Sequence, residues 1–216
     1  MKILYCNIAR MKYYKGIVPG VDKPQYGGEY VTRTGDAYEK FNFLPFQQGN
    51  LKKCFGFFET KSTNGTSSNQ LHIERIEGVP KRAEKVEQVL VVWCSTHYHN
   101  ESVIVGWYKN ATVLRYYDVV DVATEGDNVY KHTYNIEANA EDCVLLPMEE
   151  RNQHCWWAPR KKAKRSFGFG QANVWFAEEE SAEDYIHQVV EHINAYRGEN
   201  WLWKWPDEVS GERGLK

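Results

Sequence analysis

The chain lacks three features that often identify a protein class: long apolar runs, paired cysteines and a strong net charge. None of its apolar runs approaches the ~20 residues that a membrane-spanning helix requires. The five cysteines are scattered without a Cys-x-x-Cys pair, so we expect reduced thiols and no disulfide framework. The first ten residues are typical of a strand and not of a signal peptide. These absences predict a cytoplasmic protein with no membrane partner.

Charge and motif content also exclude several activities. The net charge is only −2, so a polyanionic partner must be met by a local patch of cations. Such a patch exists, because five of the six residues from Arg160 to Arg165 are Lys or Arg. We find no P-loop, dinucleotide-binding, hydrolase, PD-(D/E)xK or HNH signature. The sequence therefore favours recognition over a named reaction.

Aromatic residues are abundant, at 14% of the 216 residues, which suits a β-rich core or exposed stacking surfaces. Short apolar or alternating runs predict eight to ten strands, and apolar residues at helical spacing predict a helix with Ser181 as its N-cap. We therefore expect an α+β fold: a strongly bent β-sheet or β-barrel over residues 1–180, with a C-terminal helix and Trp-rich tail, 181–216, packed on it. The predicted strands include Lys2–Ile8, Glu29–Arg33, Glu39–Phe46, Cys54–Phe58, Leu71–Ile76, Leu90–Trp93, Val103–Val105, Thr112–Val122 and Tyr130–Ile136.

The run from Gly106 to Thr112 crowds two aromatic residues, a cation and an amide into one short segment. Aromatic faces stack on flat ligands, and an amide both donates and accepts hydrogen bonds. This combination is what a protein needs to hold a nucleobase or another flat polar ligand.

Several blocks of the sequence resemble a bacterial domain found at the N-terminus of HNH-nuclease and other restriction-type proteins. The resemblance covers roughly residues 1–176, and the run from Gly106 to Val113 is its most specific part. It implies a DNA-reading module similar to the PUA-like barrels of the EVE, YTH and SRA group, which lodge a flipped, modified base. The blocks are Cys6–Ile8, Gly27–Tyr30, Asn42–Phe43, Val91–Trp93 and Gly106–Val113.

Within that hypothesis, aromatic rings would stack on the base, amides would read its edge and cations would contact phosphates. Two of the candidate residues have alternative roles. Trp93 is also typical of the core beneath a strand, and Asn110 is also typical of a turn. Alternation along a strand places Trp107 and Tyr108 on opposite faces, so at most one faces a pocket. The predicted base-binding residues are Trp93, Trp107, Tyr108, Asn7, Asn42 and Asn110, and the phosphate-binding residues are Lys109, Arg160, Lys161, Lys162, Lys164 and Arg165.

Two other functions remain open. A metal-dependent hydrolase or nuclease would need ligands, but the candidate donors match no familiar zinc spacing, so we expect neither metal nor cofactor. A protein-interaction adaptor would use Trp201, Trp203 and Trp205, although core packing is their default role. The favoured prediction is binding of modified DNA in restriction–modification or antiviral defence, with a separate nuclease or effector as partner. The candidate metal donors are Cys94, His97, His99, His154 and Cys155, with Glu29, Asp36 and Glu39 for a divalent ion.

Overall fold

The computed structural model describes residues 1–60, 70–96, 101–123, 129–161 and 166–206. These residues form an α+β fold on one large mixed sheet, as predicted, but the sheet is open and not a barrel. Within the described residues, nine strands and two α-helices are present. They are β1 (Ile3–Ile8), α1 (Gly28–Thr34), β2 (Phe46–Gln48), β3 (Leu51–Gly56), β4 (Lys85–Thr96), β5 (Ser102–Ala123), β6 (Val129–Asn139), β7 (Cys143–Leu145), β8 (Trp157–Ala158), β9 (Val174–Trp175) and α2 (Glu183–Ala195).

Strand β5 is the centre of the sheet, whose order is β2-β3-β6-β5-β4-β1-β9, with β7 and β8 also paired to β5. The predicted hairpin is confirmed, because β4 and β5 pair antiparallel along most of their length. Strand β1 pairs parallel with β4, so Ile8 lies opposite Ser95. Parallel neighbours require a long crossover, and here the crossover carries α1, β2 and β3. It brings α1 and the carboxyl ends of β1 and β4 to the same region of the chain's surface.

The two faces of the sheet carry separate hydrophobic cores. Trp93 and Tyr108 pack in one core together with residues of β1 and β3, whereas Trp107 packs in the other. The prediction that Trp107 and Tyr108 point to opposite faces is therefore confirmed, as the two-residue period of a strand requires. Helix α2 covers the second core with Ile186, Val189 and Ile193, three buried residues at helical spacing.

A large irregularity interrupts the pairing of β5 with β6. Val113 lies opposite Ile136 and Asp118 opposite Tyr134, so four residues of β5 face a single residue of β6. Arg115 fixes this bulge, because its guanidinium donates to Ala83 O at 2.7 Å and to the Glu74 carboxylate at 2.7 Å. Bulges re-aim the side chains that follow them.

Two of the predicted strands are helical. Residues 29–33 lie in α1, and 71–76 contain the 3₁₀ helix Ile73–Arg75. The segment 39–46 likewise holds the 3₁₀ helix Tyr38–Phe41 before β2 begins. Gly35, at φ 68°, ends α1 in the left-handed conformation and donates its N–H to Val31 O. Short apolar windows do not separate helix from strand, and here tertiary packing selects the helical form.

The C-terminal segment packs against the sheet. Helix α2 begins at Glu183 with Ala182 as N-cap, so the Ser181 cap is wrong; the Ser181 hydroxyl bonds to that of Ser166. After α2, the Asn200 amide accepts from the N–H groups of Leu145 and Leu202 and donates to Cys143 O, which docks the chain beside β7. Among the described residues, no helix has the length and apolarity to span a membrane.

Candidate functional site

The three predicted stacking residues lie inside the protein. Trp93, Trp107 and Tyr108 are each at most 1% exposed. Trp93 packs edge-on against Tyr108 at 5.2 Å, and Trp107 stacks on Trp156 at 5.4 Å between ring centroids. Strands β4 and β5 are central, so both of their faces are covered and these rings offer no face to a ligand. The prediction that they form pocket walls is wrong.

Two of the three predicted edge-reading amides have partners within the protein. Asn42 is fully buried; its amide donates to Phe57 O at 2.8 Å and accepts from Phe57 N–H at 2.9 Å. Asn110 is exposed at φ 51° beside a register shift between β4 and β5, and it donates to Asp142 at 3.3 Å. Asn42 therefore serves the backbone of Phe57, and Asn110 lies at an irregularity of strand β5 and not in a turn. Asn7 alone among the six predicted base-binding residues lines a cavity in the part of the chain described here.

Three of the predicted phosphate-binding cations lie in the part of the chain that the structure describes, and each has a partner within the protein. Arg160 donates to the hydroxyls of Ser102 and Thr96 at 2.7 and 2.6 Å. Lys161 forms an ion pair with Glu179 at 2.6 Å, and Lys109 donates to Asn194 at 3.1 Å. Phosphate binding by this block stays a prediction, and Lys162, Lys164 and Arg165 lie outside the described residues.

The candidate metal donors that the structure describes form no group of three, although Glu29 and Glu39 line the same cavity. Burial raises the pKa of the Cys94 thiol, which packs in the second core, and Asp36 forms an ion pair with Lys40. His97 and His99 lie outside the described residues. Across the ranges that the structure describes, no group of three or more His, Cys, Asp or Glu side chains is placed to hold a metal ion.

The structure brings a different set of residues together in a cleft between α1, the 3₁₀ helix Tyr38–Phe41 and the carboxyl ends of β1 and β4. Two cavities of about 470 and 350 Å³ share four lining residues and so form one continuous feature, which we call the α1 cleft. The four shared residues are Gly27, Tyr30, Glu39 and Glu59.

Glycine permits the close approach that forms this cleft. A Cβ atom at Gly27 would collide with the side chains of Val31 and Ala9. Any larger residue at position 27 would therefore push α1 away from the chain that follows β1. Gly28, at φ 80°, then turns the chain into the helix in a conformation that glycine adopts at no steric cost.

The smaller cavity of the α1 cleft is lined by a row of four aromatic rings. Tyr30 stacks on Tyr38 at 5.7 Å and Phe57 stacks on Tyr117 at 5.2 Å, while Tyr38 and Phe57 lie 5.2 Å apart. Tyr30 and Tyr38 are 40% and 56% exposed. Phe57 is buried, at 7% exposed, so Tyr30 and Tyr38 offer the exposed ring faces on which a flat group would stack.

The larger cavity is polar, and Glu39 is its central group. Burial raises the pKa of Glu39 to about 7, aided by the carboxylates of Glu59 and Asp36 and opposed by hydrogen bonds from the backbone of Ala9 and of Glu39 itself. Near neutral pH this carboxyl therefore exchanges between accepting and donating hydrogen bonds.

Besides Glu39 and Glu59, the polar residues that line this cavity include Glu29, Thr96, Asn7, Arg160 and Asn173. The Asn7 backbone N–H donates to Asn173 O at 2.7 Å, which holds two of these residues together. The Asn7 Oδ1 atom is buried and has no hydrogen-bond partner among the described residues. Buried polar atoms without partners are rare in native proteins, and this one belongs to a residue of the cleft wall.

Most residues of the α1 cleft were not predicted as binding residues from the sequence. Tyr38, Phe57 and Tyr117 carry no local motif, and they meet Tyr30 only through the fold. One local signal exists: the Gly27-Gly28-Glu29-Tyr30 block, in which paired glycines precede an exposed aromatic residue.

Comparison with protein-family models, curated proteins and solved structures finds no match to this chain. The choice of the α1 cleft as the candidate site is therefore based on its geometry alone.

Proposed function

We propose that the chain is a nucleic-acid-binding module whose α1 cleft takes a single flat base. The observation that carries the proposal is the row formed by Tyr30, Tyr38, Phe57 and Tyr117 beside a polar cavity. Stacking of a base on an aromatic side chain is worth about 1–3 kcal/mol. Such a row supplies the affinity for a base held in the cleft, and the polar cavity supplies the choice among bases, so a preference requires both.

The polar groups favour a base over an apolar ligand. Glu39 and Asn7 line the polar cavity, and a base presents hydrogen-bonding groups at its edge while a lipid does not. The cavity of about 350 Å³ falls in the range of small-molecule sites. A modified base in DNA, in a restriction or defence setting, is the ligand that the sequence resemblance favours.

Phosphates must be held outside the carboxylate-rich part of the α1 cleft. Glu39 and Glu59 both line it, and like charges repel. Arg160 lines the same cavity and opens the cationic block that ends at Arg165. This placement supports a base in the cleft with a flanking phosphate beside Arg160.

The test is a binding screen of duplexes that carry different modified cytosines and adenines, read by fluorescence anisotropy. We expect the wild type to prefer one modification and Tyr38→Ala to lose that preference. Tyr116→Ala is the matched control, because Tyr116 is 47% exposed and lines none of the described cavities. Equal binding of all duplexes by the wild type, or an unchanged preference in Tyr38→Ala, contradicts the proposal.

A catalytic role is the second candidate, favoured by the carboxyl of Glu39 with a pKa of about 7 beside a second carboxylate, Glu59. A carboxyl group whose pKa is near the working pH suits general acid–base catalysis. Incubation of the preferred duplex with wild type and Glu39→Gln separates the two functions. A reader leaves the DNA unchanged in both reactions, whereas an enzyme yields a product that Glu39→Gln does not form.

A further inference from the structure

A second surface combines aromatic rings with cations, at the end of the described chain. Trp203 and Trp205 are 49% and 56% exposed. The Lys52 ammonium lies 5.5 Å from the Trp203 ring, and that of Lys15 lies 5.5 Å from the Trp205 ring. Together with two lysines beside Trp201, these residues form what we call the Trp–Lys strip: Lys12, Lys15, Lys52, Trp203, Lys204 and Trp205.

The backbone beneath the strip is anchored. Lys15 is buried, and its ammonium donates to Trp201 O at 2.8 Å and also to Lys204 O. Trp201 is buried and stacks on Tyr13 at 5.2 Å. The two exposed indoles therefore extend from a fixed segment, and a ligand that stacks on them pays little ordering entropy.

The strip carries excess positive charge. Lys204 lies 3.7 Å from Glu199, an exposed pair. Within the described ranges, neither Lys12 nor Lys52 forms an ion pair with a carboxylate. The complementary partner is a polyanion.

Lysine is depleted in protein–protein interfaces, whereas cations interleaved with exposed aromatic rings are the surface that binds single-stranded nucleic acid. We infer that the Trp–Lys strip binds single-stranded nucleic acid, with bases stacked on Trp203 and Trp205 and phosphates beside the lysines. The inference stands on the residues of the Trp–Lys strip alone and does not depend on a ligand in the α1 cleft. In this inference, the strip binds a single strand whatever its base sequence.

The experiment measures binding of a fluorescein-labelled oligothymidine of about 15 nucleotides, within the usual site sizes of such surfaces, to the full chain. We expect Trp203→Ala and Trp205→Ala each to weaken binding by about five-fold or more. Lys52→Ser should weaken it less and make it less sensitive to salt. The matched controls, which should bind as the wild type does, are Tyr116→Ala for the tryptophans and Lys131→Ser for the lysine, whose side chain is 78% exposed.

Three outcomes overturn the inference: absence of wild-type binding, unchanged binding by both folded tryptophan variants, or equal binding of an abasic strand, which has phosphates but no bases. The exposed tryptophans should tolerate truncation, and a thermal melt that matches the wild type establishes folding. Trp203→Phe keeps a stacking face and should retain most of the affinity. The strip variants should also keep the wild-type preference among modified duplexes, which only cleft variants lose, so each proposal fails separately.

Discussion

The segment from Gly106 to Thr112 and the α1 cleft both concentrate aromatic residues, but they use them in opposite ways. In the first, Trp107 and Tyr108 fill the cores on the two faces of the sheet. In the second, Tyr30 and Tyr38 stay exposed beside ionisable groups. A central strand buries whatever aromatic residues it carries, whereas short helices and loops at its end leave theirs accessible.

The difference lies in the neighbours of each segment. Strand β5 pairs with β4 on one side and with β6, β7 and β8 on the other, and α2 covers one face. Helix α1 buries only Val31 and lies against the end of β1. A sequence segment rich in aromatic residues is therefore more often part of a core. It indicates a binding site only where no neighbouring strand or helix packs over it.

The largest expected contrast is between Trp107 and Tyr38. Trp107→Ala removes a fully buried ring and should lower the free energy of unfolding by about 3–5 kcal/mol. Tyr38→Ala should change it by less than about 1 kcal/mol, because Tyr38 is 56% exposed. Urea denaturation measures both. A stable Trp107→Ala protein with altered nucleic-acid binding would restore the original pocket prediction.

Asn42→Ala should be the next largest effect. It leaves the buried N–H and C=O of Phe57 without their partners, and each such group costs about 1–3 kcal/mol. We expect a loss of about 2–4 kcal/mol in the free energy of unfolding. The control Asn110→Ala removes an exposed amide. Normal stability of Asn42→Ala would show that the amide is not structural.

Glu39 gives the α1 cleft a dependence on pH that the buried segment lacks. Because the folded pKa is about 7, above the ordinary 4.5, the folded state binds more protons than the unfolded state between these values. The free energy of unfolding should therefore fall as pH rises through this window, by about 1–3 kcal/mol. Glu39→Gln should flatten the fall, and Glu59→Gln, an exposed neighbour, should largely keep it. A wild-type curve that rises over this range contradicts the assignment.

The sequence predicts the elements of the central sheet better than it predicts the α1 cleft. Strand β1, the hairpin of β4 and β5 and helix α2 were predicted from apolar runs and a helical repeat. The predicted strands 103–105 and 112–122 are parts of one strand, β5. Helix α1 was predicted as a strand, since residues 29–33 give too short a window. The α1 cleft joins residues 7 to 173, and no local pattern reports such an assembly. The resemblance drew attention to the run from Gly106 to Val113, and both aromatic residues of that run are core.

The smallest expected effect is at Asn110, whose φ of 51° lies in the left-handed region. Asn110→Gly should leave stability nearly unchanged, and Asn110→Ala should cost about 1 kcal/mol, because alanine tolerates this backbone poorly. Thermal melts of the two variants make the comparison. A change in the preference among bases in Asn110→Gly, with unchanged stability, would return Asn110 to an edge-reading role.

Photocrosslinking tests directly whether a base binds in the α1 cleft. A photoreactive base at the preferred position of a bound duplex, followed by peptide mapping, identifies the residues that contact it. The account predicts crosslinks to the α1 cleft at Tyr30, Tyr38 or Tyr117 and none to Trp93 or Trp107. Efficient crosslinking elsewhere, with no modified peptide from the α1 cleft, would contradict it.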